Sequence, residues 1–240
     1  PRTLTPELMD DPHVPADQLA LSLRFIRAVN RALGGTSALL RHLKAWSVNW
    51  PKDQPITLLD VATGSAPLPL AAHRWARRAG FDLRITAIDR HHETLSFAKR
   101  HIGDAPITLL HADALHLDRL FAPSSFHYVH AGLFLHHLPD EEIVTVLRSM
   151  ASIASRGIVW NDLVRSQASR RVIRLLTTGM PRIVQHDARV SVDAGFTREE
   201  AESLAARAGL DFTTYDWRPI THRFTIAGES QAFGLLTFTG

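Results

Sequence analysis

The sequence predicts an α/β protein whose mostly parallel sheet is covered by helices on both faces. Three observations carry that prediction. Five short runs, ITLLDVA (56–62), LRITAID (83–89), ITLLHA (107–112), FHYVHAG (126–132) and RGIVWND (156–162), start roughly 20–30 residues apart, the spacing of βα units. The runs are largely apolar without strict alternation, as strands shielded on both faces must be. The stretches between them carry helical spacing: after Pro139-Asp140, the residues Ile143, Leu147 and Met150 fall on one helical face.

The remaining elements follow in chain order. Residues 1–50 read as a helical cap. Asp17 is expected to cap a stretch in which Leu21, Phe25, Ala28 and Ala32 keep helical spacing, and Gly34-Gly35 breaks it. Thr36 is expected to cap a second helix carrying Leu39, Leu40 and Leu43, and Pro51, Asp53 and Pro55 mark a loop. A helix is expected from His91 to Arg100. Beyond the fifth run, Arg165 to Met180 read as a basic amphipathic helix ended by Gly179 and Pro181. Thr197 with Glu200 forms a capping box for a helix over 197–208, and Gly209 lies just past its end. The runs DFTTYDW (211–217) and RFTIAGE (223–229) predict a hairpin on the sheet edge, and the apolar QAFGLLTFTG (231–240) a further strand.

Composition narrows the function classes. With 240 residues, 45% apolar and 21% charged, the chain has a globular balance and can bury a sizeable core. The expected organisation is a cap over 1–50 and a main domain over 51–240 with an insertion at about 163–196. There is no cysteine, which excludes a disulfide framework, a thiolate zinc site, an iron–sulfur cluster and a cysteine nucleophile. The net charge of +3 is spread rather than gathered into a basic block, so a nucleic-acid partner is not expected. No apolar run approaches the ~20 residues that span a bilayer. A cytoplasmic protein is the expectation.

The chemistry-bearing residues gather at the ends of the first three runs. Asp60-Val61-Ala62-Thr63-Gly64-Ser65-Ala66-Pro67 follows the first strand and opens a helix. Small residues there let backbone approach a ligand, and a helix N-terminus presents free N–H groups. A dinucleotide-binding strand normally ends in an apolar residue before its glycines; here it ends in Asp60, and Pro67 takes the sixth fingerprint position. A carboxylate at that point suits a ligand with a cationic amino-acid moiety. S-adenosylmethionine (SAM) has an ammonium and a sulfonium, whereas NAD has no ammonium. Asp89 ends the second run, where a carboxylate can accept both ribose hydroxyls. Asp113 follows the third run and can accept from an adenine amino group. As single residues each is equally a turn or cap residue. Three at consecutive strand ends are much harder to attribute to chance.

On these residues the chain resembles the class I SAM-dependent methyltransferases over roughly residues 56–230. The resemblance implies a Rossmann-like three-layer sandwich with a seven-stranded, mostly parallel sheet whose last strand is antiparallel. It puts cofactor at the carboxyl ends of strands one to three and acceptor over strands four and five. The glycine-rich signature maps onto Asp60, Ala62, Gly64 and Ala66, with alanine at two positions usually held by glycine. The run HAGLFLHHLPDEE (130–142) is similar to the quinone-biosynthesis and small-molecule O-methyltransferase branch. ELMDD and NDLVRS are similar to elements of methyltransferases found beside type III polyketide synthases. The cofactor contacts expected are Asp60, Ala62, Thr63, Gly64, Ser65, Ala66, Asp89, Arg90, Asp113, Ala114 and His130. Asn30 and Arg31 are candidates for the cofactor carboxylate.

The expected reaction is methyl transfer from SAM, leaving S-adenosylhomocysteine (SAH), to a small, mostly apolar acceptor with a phenolic or enolic oxygen. An NAD(P)-dependent oxidoreductase and a non-catalytic SAM-binding module are the alternatives. His136 is the expected base, a neutral imidazole oriented by Asp162, with His137 as the neighbouring substitute; some small-molecule O-methyltransferases carry a similar pair at matching elements. Residues 1–50 and 163–196 are expected to close over the site and select the acceptor. No metal site is expected, because the adjacent His136 and His137 do not converge easily and no third ligand has suitable local spacing. The run Arg165, Arg170, Arg171 and Arg174 reads as a solvated helix face, or as an attractor of an anionic acceptor or membrane surface.

Overall fold

In the computed structural model, residues 2–11, 13–32 and 34–230 are described. A seven-stranded sheet forms the centre. Its strands are β1 (Ile56–Val61), β2 (Leu83–Asp89), β3 (Ile107–His111), β4 (Phe126–Gly132), β5 (Ala154–Leu163), β6 (Thr214–Arg218) and β7 (Arg223–Glu229). Their spatial order is β3-β2-β1-β4-β5-β7-β6. The first five run parallel, and β7 lies antiparallel between β5 and β6. The expected edge hairpin is present, and the strand expected in 231–240 lies outside the described residues.

Each central strand feeds two cores, which is why the apolar runs do not alternate with polar residues. On one face Leu59, Val61, Val129, Ala131, Ile158 and Trp160 pack with α5 (Leu117–Leu120), α6 (Asp140–Ile153) and α9 (Arg198–Arg207). On the other Ile56, Leu58, Ile85, Ala87, Tyr128 and Val159 pack with α2 (Gly35–Trp46), α3 (Pro67–Ala79) and α4 (His92–Ile102). The expected signals set most helix ends. Three acids fill the first turn of α6, where they favour the helix dipole. Thr197 and Glu200 cap α9 reciprocally.

Four local expectations are corrected. Helix α2 starts at Gly35 with Gly34 as its cap, at φ +74°, so Thr36 lies inside the first turn. The start is fixed by close approach: a Cβ on Gly35 would sit 2.5 Å from both Arg223 Nη1 and Asn30 Oδ1. Helix α7 (Gln167–Leu176) begins two residues after Arg165, because Ser166 accepts from the Ser169 N–H and caps it. Pro181 does not simply end the chain's helical run; it caps α8 (Arg182–Ala194), which the sequence reading left unassigned. Helix α1 (Ala16–Ala32) covers the expected stretch but starts at Ala16, so Asp17 lies in its first turn and is not its cap, and the N-terminal residues 2–11 lie across the molecule against α8.

Candidate functional site

A cavity of about 420 Å³ opens at the carboxyl ends of β1, β2 and β4, within the size range of small-ligand sites. Its floor is the β1–α3 turn. Ala62, Thr63, Gly64 and Ser65 line it, while Ala66 is fully buried behind them as the cap of α3. Ala62 and Ala66 both adopt left-handed backbone, at φ +54° and +55°. The two alanines at positions of the expected signature usually held by glycine therefore occupy the conformations for which glycine is preferred.

The three strand-end carboxylates face this cavity. Asp89 accepts from Gly64 N–H at 2.9 Å and His91 N–H at 3.0 Å, so it ties the β1–α3 turn to the start of α4. Burial pushes its carboxyl up, and those two backbone donors oppose the shift. Each oxygen keeps a lone pair for a further donor. Asp113 accepts from Leu115 N–H at 2.9 Å through one oxygen, leaving the other toward the cavity. Arg90 and Ala114 line the same wall.

Asp60 is buried beside His130, its register partner on β4, and the carboxylate meets His130 Nδ1 at 2.5 Å. With Nδ1–H donated to Asp60, a neutral His130 presents Nε2 as an acceptor, and this buried atom has no protein partner. Asn30 also lines the cavity; its Oδ1 accepts from Arg223 Nη1 at 2.8 Å, which leaves its amide N–H₂ as the free end. The side chain of Arg31 lies outside the described residues.

The opposite wall comes from the N-terminal segment, the turn 135–137 and α8. Leu4, Glu7, Met9 and Asp10 line it together with Val190, Ser191 and Ala194. Asp187 holds the segment by accepting from the N–H groups of Leu8 (2.7 Å) and Met9 (3.1 Å), and Ser191 donates to Glu7. The expected His136–Asp162 pair is present: His136 Nδ1 lies 2.7 Å from Asp162 Oδ1, and Asp162 sits fully buried behind it, away from the cavity. The Trp160 indole and Leu163 N–H also donate to Asp162, and this fixes its rotamer.

The charge state differs from expectation. Burial pushes the His136 imidazole down, but the Asp162 charge and hydrogen bond, joined by Glu7, outweigh it and carry it up to about 9. His136 thus keeps its proton at neutral pH instead of standing neutral. Burial raises Glu7 and Asp162, yet His136 holds both carboxyls below their ordinary values. Burial and the His136 charge lower His137. Glu7 is the residue that sequence reasoning missed. Its nearest signal was the ELMDD run, and nothing local joins that run to the histidines far downstream. Of the arginine run, Arg165 pairs with Glu200 and Arg170 with Asp193 at 2.6 Å, while Arg171 and Arg174 are exposed.

Residues 58–157 match the family model of a methyltransferase domain. No curated protein sequence matches the chain. Among solved structures, the plantazolicin methyltransferase in complex with a triazolic desmethylPZN analogue and SAH is similar at 14% identity and a TM-score of 0.62, over 84% of this chain and 70% of that one. A Nostoc punctiforme protein assigned as an O-methyltransferase is similar at 19% identity and TM-score 0.56, over 85% of this chain. The chain spans 60% of that protein's length. The magnesium protoporphyrin IX methyltransferase of Synechocystis, with bound SAH, is similar at 12% identity and TM-score 0.54, over 82% of each chain. At these identities the likeness is one of fold. Among the described residues no helix is long and apolar enough to cross a membrane.

Proposed function

We propose that this methyltransferase-domain chain moves the sulfonium methyl of SAM to an oxygen of a small, mostly apolar acceptor, phenolic or enolic in kind. The observation that carries the reading is that one cavity collects the strand-end carboxylates on one side and the Glu7–His136–His137 cluster on the other. Asp89 accepts the ribose hydroxyls and Asp113 the adenine amino group. Asp60 and the free Nε2 of His130 receive the ammonium, and the Asn30 amide meets the cofactor carboxylate.

The acceptor's hydroxyl then lies against His136, oriented by Asp162, and His137. These are the catalytic residues of the reading: the acceptor's proton passes to His137, whose imidazole burial and the His136 charge hold below its ordinary value, while protonated His136 holds the acceptor oxygen. The oxygen's electron pair forms the new C–O bond, the C–S bond breaks, and its electrons stay on sulfur, giving SAH. Such a transfer depends chiefly on in-line placement. Leu4, Met9 and Val190 give the acceptor side its apolar character.

Thermal unfolding with SAM, SAH, NAD and NADP tests the reading. A ligand at 100 times its Kd adds about 2.7 kcal/mol, a rise of roughly 5–10 °C for a chain of this size. SAM and SAH are expected to give it; a rise with NAD or NADP alone overturns the assignment.

A further inference from the structure

We propose that Glu7, His136 and His137 bind a divalent first-row transition-metal ion. Among the described residues they form a group whose ligand atoms all lie within 4.8 Å of one another. His136 Nε2 is 3.9 Å and His137 Nε2 4.0 Å from the same Glu7 oxygen, Oε1. The rings are adjacent, with centroids 4.2 Å apart and planes inclined by 32°, so the two Nε2 atoms converge although the residues are neighbours in sequence. An ion with bonds of 2.0–2.1 Å in tetrahedral geometry separates its ligands by about 3.4 Å. Each histidine needs to close on the Glu7 oxygen by only about half an ångström.

The surroundings are those of a metal centre on both imidazoles. Histidine ligands characteristically give their other ring nitrogen to a carboxylate, which fixes the tautomer and the ring. Here His136 Nδ1 faces Asp162 at 2.7 Å and His137 Nδ1 faces Asp10 at 3.5 Å. His136 Nε2 is buried, aimed into the group, and has no hydrogen-bond partner. Ser191 steadies Glu7. Among the described residues, the ion pairs of Glu7 and Asp162 are with histidine alone.

Two nitrogens and one carboxylate oxygen, without thiolate, suit Zn²⁺, Co²⁺ or Mn²⁺. Three protein ligands leave a coordination position open to the cavity. The use of the ion rests on the proposed function, whereas its binding does not. Coordination lowers the pKa of a bound hydroxyl, so with the ion in place of a proton on the histidines the acceptor's proton leaves to water and not to the cluster, and the oxygen stays in line with the methyl.

The test is direct binding to the full chain after chelator treatment. Co²⁺ and Zn²⁺ titrations followed by calorimetry, with Co²⁺ absorption bands as a second readout, are expected to saturate at one equivalent. Glu7→Gln and His137→Ala should each weaken binding by ~100-fold or more. Asp162→Asn, at a positioning residue, should weaken it ~10–100-fold and shift the Co²⁺ bands. His92→Ala, at a histidine stacked on His111 away from the cluster, should change nothing. Absence of saturation, or saturation that survives both Glu7→Gln and His137→Ala, overturns the proposal. SAH titrations on the same samples separate the two readings: SAH binding without metal binding refutes the ion alone, and failure of SAH to bind refutes the proposed function.

Discussion

At the residue scale Asp89 is the most informative position, because it combines a structural task with a binding one. Asp89→Ala should cost the two charge-assisted ribose bonds, each about 1.5–3 kcal/mol, and lower SAH affinity by ~100-fold or more while the fold survives. Calorimetry showing unchanged affinity in the folded variant would refute its role. Asp113→Ala removes one contact and should cost roughly 1 kcal/mol. At His136, replacement by Ala should leave SAH affinity intact and reduce turnover by ~10²–10⁴-fold, with full activity at neutral pH as the contrary result. The left-handed Ala62 and Ala66 make a stability prediction. Changing both to Gly should remove a strain of about 1–2 kcal/mol each, partly offset by unfolded-chain entropy of about 0.4–1 kcal/mol each. The net is a melting temperature a few degrees higher, and a lower one would show that the turn is not strained. Asp60, Asp89 and Asp113 were legible because each closes an apolar run. Glu7 was not, because the signal for a site assembled from distant segments exists only in three dimensions.

At the scale of elements, the central strands could be read from apolar runs, since a strand covered on both faces announces itself by composition alone, whereas β3 and β6 are half-exposed sheet edges that were read from their short runs and the spacing between them. Helix α8 escaped because Pro181 was taken as a stop, although proline is compatible with a helix start. The helical cap is where element and site meet: α1 contributes Leu23, Ile26 and Asn30 to the cavity wall. Deleting residues 1–35 should therefore reduce SAH affinity, and an unchanged dissociation constant in the shortened chain would argue against a covering role.

At the scale of the whole molecule, stability should depend on pH through His42, which packs its imidazole against Trp46 and Thr225 and so joins α2 to β7. Burial first, then the charge of Arg41, lowers it from 6.5 to about 4. The fold therefore favours the neutral ring. Its contribution is complete above the unfolded value of 6.5 and is lost as pH falls toward 4. Urea midpoints measured across that window should fall more steeply for the wild type than for His42→Gln; parallel slopes would exclude this origin. The docking of residues 2–11 onto α8 has a consequence of another kind. Leu8 and Met9 reach Asp187 across 179 and 178 residues, and Glu7 reaches Ser191 across 184. Closing loops of that length costs about 2 kcal/mol more entropy than pairing neighbouring strands some 25 residues apart. On a growing chain these residues are made long before α8 and can settle only once α8 has been made. The β1–α3 turn can be in place while the wall opposite it is still open; under the proposed function a newly made molecule then holds its methyl donor before it can choose what to methylate.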